Sequence, residues 1–193
     1  PYYEADLMQA KGALLAWQGA LQVGGGIHAE NAASFLDFGA SHVIVTSYVF
    51  AGGEIRFDRL EALRKEVGKE HLVLDLSCHP KEGKYYIVTN RWQKFTDQPL
   101  DEALMYELSR YCDEYLVHGV AVEGTGTGID CELVQILSRC NKLPVTYAGG
   151  IGSFSDLEKL DSISGGKMDF TIGSALDLFG GKMKFDEVLK HYS

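Results

Sequence analysis

Short runs rich in Val, Ile and Leu alternate with amphipathic stretches along almost the whole chain, and this alternation restricts the fold more than any single motif. The runs cover residues 21–23, 42–47, 71–77, 114–122, 143–150 and 167–175. Between them, apolar residues recur at helical spacing: Ala32, Phe35 and Leu36, then Leu60, Leu63 and Val67, with further helical stretches at 100–112, 130–140 and 155–164. A helical pattern at the front aligns Leu7, Ala10 and Leu14, and a last amphipathic piece spans 185–192. Strands that are apolar throughout are buried on both faces, the mark of a parallel sheet covered by helices.

Two architectures fit that order: an open doubly wound sheet and a closed (β/α)8 barrel. The first predicts one dominant glycine-rich fingerprint after the first strand. Instead the chain repeats itself: "LQVGGGI" (21–27) and "VTYAGGI" (145–151) each end a short apolar run on glycines. Each is followed, some 20 residues on, by a small-residue strand end, "VTS" and "IGSA". The expected fold is therefore an α/β (β/α)8 TIM barrel of duplicated half-barrels, forming a single domain over residues 1–193. Six units are too few to close such a barrel, so the chain is expected to lack its first strands. About 60 further residues at the N-terminus would supply them.

A length of 193 residues with nearly half of them hydrophobic suffices for one continuous core. The net charge of -9 argues against nucleic acid or an anionic membrane surface as partner. No apolar run is long enough for a membrane span, and no signal peptide is visible. The four cysteines, Cys78, Cys112, Cys131 and Cys140, form no CxxC pair, so they read as reduced packing residues and no metal site is expected.

Glycines at barrel strand ends let main-chain N–H groups approach a phosphate at a helix N-terminus, with no basic side chain needed. Two cradles are expected on opposite sides of one barrel mouth: Gly25 and Gly26 with Thr46 and Ser47, and Gly149 and Gly150 with Gly173 and Ser174. The competing reading, that these glycines only relieve tight turns, is disfavoured by the duplication with matched partners. The implied ligand is a small molecule with two phosphates. Between the cradles, Asp75 follows a strongly apolar run, where a carboxylate is costly unless partnered or used. His118 occupies a similar place on the next strand. Glu123 flanks a glycine-rich loop, and His28 and His42 fall at element ends. Trp92 lies in "HPKEGKYYIVTNRWQKF", a predicted mobile hairpin or lid, where an aromatic either stacks over a planar ligand or anchors the loop.

Taken together, "LQVGGGI", "ASHVIVTSYVF", "LDLSC", "RWQKFTD", "VEG…GID", "PVTYAGGI" and "GSALDLFGG" resemble the eukaryotic, plant-like form of the HisA family of histidine-biosynthesis isomerases. The resemblance implies a (β/α)8 barrel that catalyses an Amadori rearrangement of a bisphosphorylated aminoaldose to an aminoketose, with no metal or organic cofactor. It implies that Asp75 is the general acid, that Trp92 covers the substrate, and that His118 stands where bacterial relatives carry threonine. The general base is implied to be an aspartate on a first strand absent from these residues. Ala121 replaces the aspartate of the usual "DVEG". Two other functions stay open at this point: the sister cyclase of the same pathway, disfavoured by the "LDLSC…RWQKF" block, and a non-catalytic phosphate-binding remnant. The expected state is a monomer in the cytoplasm, or in a plastid for a plant protein.

Overall fold

The strands that the apolar runs predict pair in the order in which they occur along the chain. A computed structural model describes residues 3–124, 127–140 and 142–192. Its strands are β1 (Gln22–Gly24), β2 (His42–Val45), β3 (Phe50–Ala51), β4 (Glu54–Ile55), β5 (Leu72–Lys81), β6 (Lys84–Thr89), β7 (Lys94–Pro99), β8 (Glu114–Gly119), β9 (Val145–Ala148) and β10 (Asp169–Thr171). Its helices are α1 (Tyr3–Ala16), α2 (Ala29–Asp37), α3 (Phe57–Val67), α4 (Glu102–Leu108), α5 (Cys131–Leu137), α6 (Phe154–Ser164) and α7 (Phe185–Tyr192).

The main sheet runs β1-β2-β5-β8-β9-β10, and every one of these pairings is parallel. A helix bridges each neighbouring pair, α2 to α6 in turn. A doubly wound sheet reverses its strand order at a switch point. This one never does, and its single winding is that of a (β/α)8 half-barrel. Among the described residues β1 and β10 form its open edges, each paired on one side only.

The helix ends follow local chemistry. Asp101 and Asp130 cap α4 and α5 by accepting from the N–H groups of Leu104 and Leu133 at 2.9 and 3.1 Å. Ser153 caps α6, and its hydroxyl donates to Asp156 at 2.7 Å. Gly165, with φ 66°, ends that helix in the left-handed conformation that side chains resist.

Alternation along β5 separates two faces. Leu72, Leu74, Leu76 and Cys78 enter the hydrophobic core together with Leu60 and Leu63 of α3, Leu108 of α4 and Leu133 of α5. Asp75 and Ser77 share the other, concave face. The apolar stripes anticipated on α2 and α3 are the ones that pack, since Ala32, Phe35, Leu60, Leu63 and Val67 are all buried. Cys78 and Cys112 are buried free thiols, Cys140 is half-buried and Cys131 is exposed, so packing accounts for only part of the set. Burial pushes the Cys112 thiol up to about 12 and that of Cys140 to about 11, which leaves both unreactive near neutrality.

Several boundaries differ from the sequence pattern. β5 continues past Ser77 to Lys81 because β6 pairs antiparallel with its end, Cys78 opposite Ile87 and Pro80 opposite Tyr85. The predicted hairpin is thus real, and its first limb is an extension of a barrel strand. The last strand is shorter than its apolar run, at three residues, as suits an edge paired on one side.

Leu74 lies on the helix-facing side of β5 with no exposed surface, whereas Leu178 is 63% exposed. Leu74→Ala is expected to cost about 2–5 kcal/mol and Leu178→Ala less than about 0.5 kcal/mol, read from urea denaturation midpoints.

Candidate functional site

Parallel strands place their C-terminal ends, and the turns after them, on one rim, which is where barrels carry their sites. Thr46 just beyond β2, Asp75 on β5 and His118 on β8 meet there. The Thr46 hydroxyl donates to Oδ2 of Asp75 at 2.9 Å, and Nδ1 of His118 lies 2.8 Å from Oδ1. Register explains the approach: Asp75 lies opposite Leu116 and Ser77 opposite His118, so two adjacent strands present both side chains on the concave face. The carboxylate holds the His118 imidazole above its ordinary 6.5, first by the hydrogen bond and then by charge; burial opposes this, and Glu123 adds a smaller attraction.

The second glycine turn forms a cavity of about 210 Å³, lined in part by Glu123, Gly124, Gly149, Gly150, Gly173 and Ser174. All four residues expected to make this cradle are brought together. The pairing of β9 with β10 accounts for it, since Ala148 lies opposite Thr171 and both following turns leave the sheet side by side. Glu123, which the sequence marked only as flanking a loop, is part of the same wall. A carboxylate beside a turn expected to hold an anion is electrostatically unfavourable, and it sits there as a consequence of the turn that ends β8.

The first glycine turn is arranged differently. Gly24 lies opposite Ile44, so Gly25 and Gly26 leave the sheet beside Thr46 and Ser47 as expected. The Thr46 hydroxyl, however, is given to Asp75, and Ser47 is exposed just after β2. Gly25 and Gly26 border a cavity of about 270 Å³ whose other walls include Leu7 and Ala10 of α1 and Phe35 of α2. Asn31 closes the turn by donating to the Gly26 carbonyl at 3.0 Å.

Trp92 tops a hairpin tip that folds back to the rim. Its indole N–H donates to the Ser77 hydroxyl at 3.3 Å, two residues along the face from Asp75. The indole is about half exposed, so it both anchors the tip and offers a face to the rim. Asn90, Arg91 and Trp92 are consecutive non-glycine residues with φ of 54°, 56° and 68°. Such a run is strained and persists only because contacts hold it. Those contacts include Gly53 N–H to the Thr89 hydroxyl at 2.9 Å and Gly52 N–H to Asn90 Oδ1 at 3.3 Å. At the other end of the hairpin the Tyr85 hydroxyl donates to Asp130 at 2.6 Å, a tie that no spacing in the sequence announced. His28 precedes α2, and His42 begins β2 beside Asp113. No helix among the described residues is long and apolar enough to cross a membrane.

Known proteins share this chain's pattern. The family model described as "Histidine biosynthesis protein" matches residues 9–184. A chloroplastic phosphoribosyl imidazole-4-carboxamide isomerase of Medicago truncatula is 54% identical over 98% of this chain, which spans 60% of that relative's length. The isomerase of the same name from Yarrowia lipolytica is 43% identical over 94% of this chain and 72% of its own. That from Neurospora crassa is 46% identical over 88% of this chain and 67% of its own.

The glycines invite a direct comparison. A methyl group at Gly26 meets open space and only its φ of 68° resists, whereas one at Gly150 overlaps the Gly128 carbonyl. Gly26→Ala is therefore expected to cost about 1–2 kcal/mol, and Gly150→Ala clearly more, in paired urea melts. The raised His118 imidazole sets a pH dependence as well. A group whose folded value is raised contributes fully below its unfolded value and loses that contribution as pH rises through the folded one. As pH rises above the ordinary imidazole value of 6.5, stability should fall more steeply in the native protein than in His118→Gln, and parallel curves would contradict the pairing.

Proposed function

The chain belongs to the histidine biosynthesis protein family, and we propose from that premise that the protein is the isomerase that its relatives are named for. On this reading it performs an Amadori rearrangement of a bisphosphorylated ribonucleotide, converting an aminoaldose into an aminoketose. Oxidation at one sugar carbon balances reduction at its neighbour, so the reaction needs no external electron acceptor. The protein works as a monomer, in the cytoplasm or, in a plant, in the plastid.

The observation that carries the reading is the Asp75–His118 contact at 2.8 Å between β5 and β8, in the same parallel sheet whose β1 and β9 end in the glycine turns. Ring opening needs a proton delivered to the ribose oxygen, and an acid–base pair on a rim flanked by anion-binding turns suits that step. The cradle of Gly149, Gly150, Gly173 and Ser174 would hold one phosphate, and the Gly25–Gly26 turn with Ser47 the other. Trp92 would lie over the substrate between them. The proton at C2 is removed by a base that the resemblance assigns to a strand outside these residues. The chain spans 60% to 72% of the length of the relatives compared above, so the assay belongs on the protein at their full length.

That protein should turn over the aminoaldose in an absorbance assay, and inorganic phosphate should compete, raising KM without lowering kcat. Phosphate that lowers kcat alone would count against the cradles. Phosphate binding without any turnover would favour a non-catalytic barrel.

A further inference from the structure

We propose that the protein carries a second small-molecule site, at the end of the sheet opposite the glycine turns, and that it takes a small organic monoanion bearing an aromatic ring. The proposal is independent of the isomerase reading, since it concerns other residues and is tested by binding alone.

Two cavities adjoin at that end. The first, of about 330 Å³, lies between α4 and the segment after α5, with Met105, Tyr106 and Tyr115 among its walls. The second, of about 300 Å³, lies beside the starts of β9 and β10, with Val145, Ser164 and Met168 among its walls. Cys140 and Lys142 belong to both, so the cavities join there. Each is of the size at which small-molecule sites begin, about 300 Å³. Tyr115 is the second residue of β8 and Val145 the first of β9, whereas His118 and the turn at Gly149 lie at the other ends of these strands.

Three observations point to the ligand. The chain has a net charge of -9, yet Arg139 and Lys142 line the first cavity and Lys142 and Lys167 the second. Among the described residues none of these three cations lies within ion-pair distance of a carboxylate. The attraction of a helix C-terminus for cations fades within the last turn, so it accounts for Arg139, just past α5, and not for Lys142 and Lys167. Secondly, Ser164, the last residue of α6, is buried in the wall of the second cavity, and its hydroxyl has no hydrogen-bond partner. Ser34, Ser109 and Ser138, also at or near helix ends, each return the hydroxyl to the carbonyl three residues earlier. A buried hydroxyl left unpaired is costly, and a ligand oxygen that accepts from it removes the cost. Thirdly, Tyr106 is 52% exposed, with Lys142 Nζ and Arg110 Cζ each 5.7 Å from its ring centroid. Its ring and the Met105 thioether offer an aromatic ligand a matching surface.

Charge orients the ligand. Glu102 stands in the wall of the first cavity, and no carboxylate lines the second. The ring therefore goes to Met105 and Tyr106, and the anionic group to Lys142, Lys167 and the Ser164 hydroxyl. Both α5 and α6 end on this side, and the partial negative charge of their C-termini offsets part of the lysine charge. A carboxylate suits that balance better than a phosphate dianion.

The test is an amide NMR titration of the full-length protein with 3-phenylpropionate, beside acetate, which lacks the ring, and 3-phenylpropanol, which lacks the charge. 3-Phenylpropionate should bind saturably and shift the amides of Cys140, Val145 and Met168, leaving those of Gly25 and Gly149 unmoved. Both reference compounds should bind at least about tenfold more weakly. Lys142→Met and Lys167→Met alter exposed side chains and should each weaken binding about two- to fivefold. Ser164→Ala should also weaken binding, without lowering the urea midpoint, because the hydroxyl it removes has no partner in the free protein. Absence of saturable binding, shifts confined to the glycine turns, or equal affinity for the alcohol would overturn the proposal. So would an affinity unchanged in both lysine variants or in Ser164→Ala.

Discussion

The pairing of β5 with β8 is the contact on which the rest depends. Six residue pairs run in continuous parallel register, from Val73 with Glu114 to Cys78 with Gly119. This is the middle of the sheet, and both strands are flanked on their other sides by further parallel neighbours. A slip of one residue would turn Asp75 and His118 to opposite faces and bury a carboxylate among the leucines of α3 and α4, at a cost of several kcal/mol. Hydrophobic alternation therefore sets the geometry of the Asp75–His118 pair: Leu72, Leu74 and Leu76 must face the helices, and Asp75 is left on the concave side.

The other parts of the rim lean on that pair of strands. The same β5 extends beyond the sheet to start the β6–β7 hairpin, whose base is tied to α5 through Tyr85 and Asp130 and whose tip returns through Trp92 to Ser77. Asp130 takes part twice, since it also caps α5. Tyr147 donates no support to that carboxylate but accepts from the Asp130 N–H at 2.9 Å, which links β9 to the same corner. Burial and the contact with Asp130 raise the Tyr85 phenol, so it stays a donor at any physiological pH. The left-handed residues Asn90 to Trp92 sit at the far end of this brace, where strain is tolerated because both limbs are pinned.

The two glycine turns look alike in sequence and differ in space. Around Gly149 and Gly150 the backbone of Gly119 and Gly128 comes close enough to exclude a side chain, and the turn closes a cavity with Gly173 and Ser174. Around Gly25 and Gly26 there is room, and the wall opposite belongs to α1. Duplication was legible because it is a repeat of residue types at matched spacing. The difference was not, because it arises from what β8 and its following turn place beside one half and not the other. The place of Glu123 is hidden from the sequence for the same reason: its proximity to Gly149 comes from strand order. Thr46 likewise follows a strand as a phosphate-binding residue would, and its hydroxyl donates to Asp75.

By itself the sequence determined the class of fold, the helix and strand order, the core stripes of α2 and α3, and the candidates Asp75 and His118, because periodicity and the cost of a charge among apolar residues are local facts. Only the tertiary structure decided that those two side chains touch, that β5 runs on into a hairpin tied down by Tyr85, and that the two glycine turns are unequal. Each of these depends on strand register and on neighbours 29 to 45 residues away in the chain, and contacts at such separations leave no periodic trace in the order of residues.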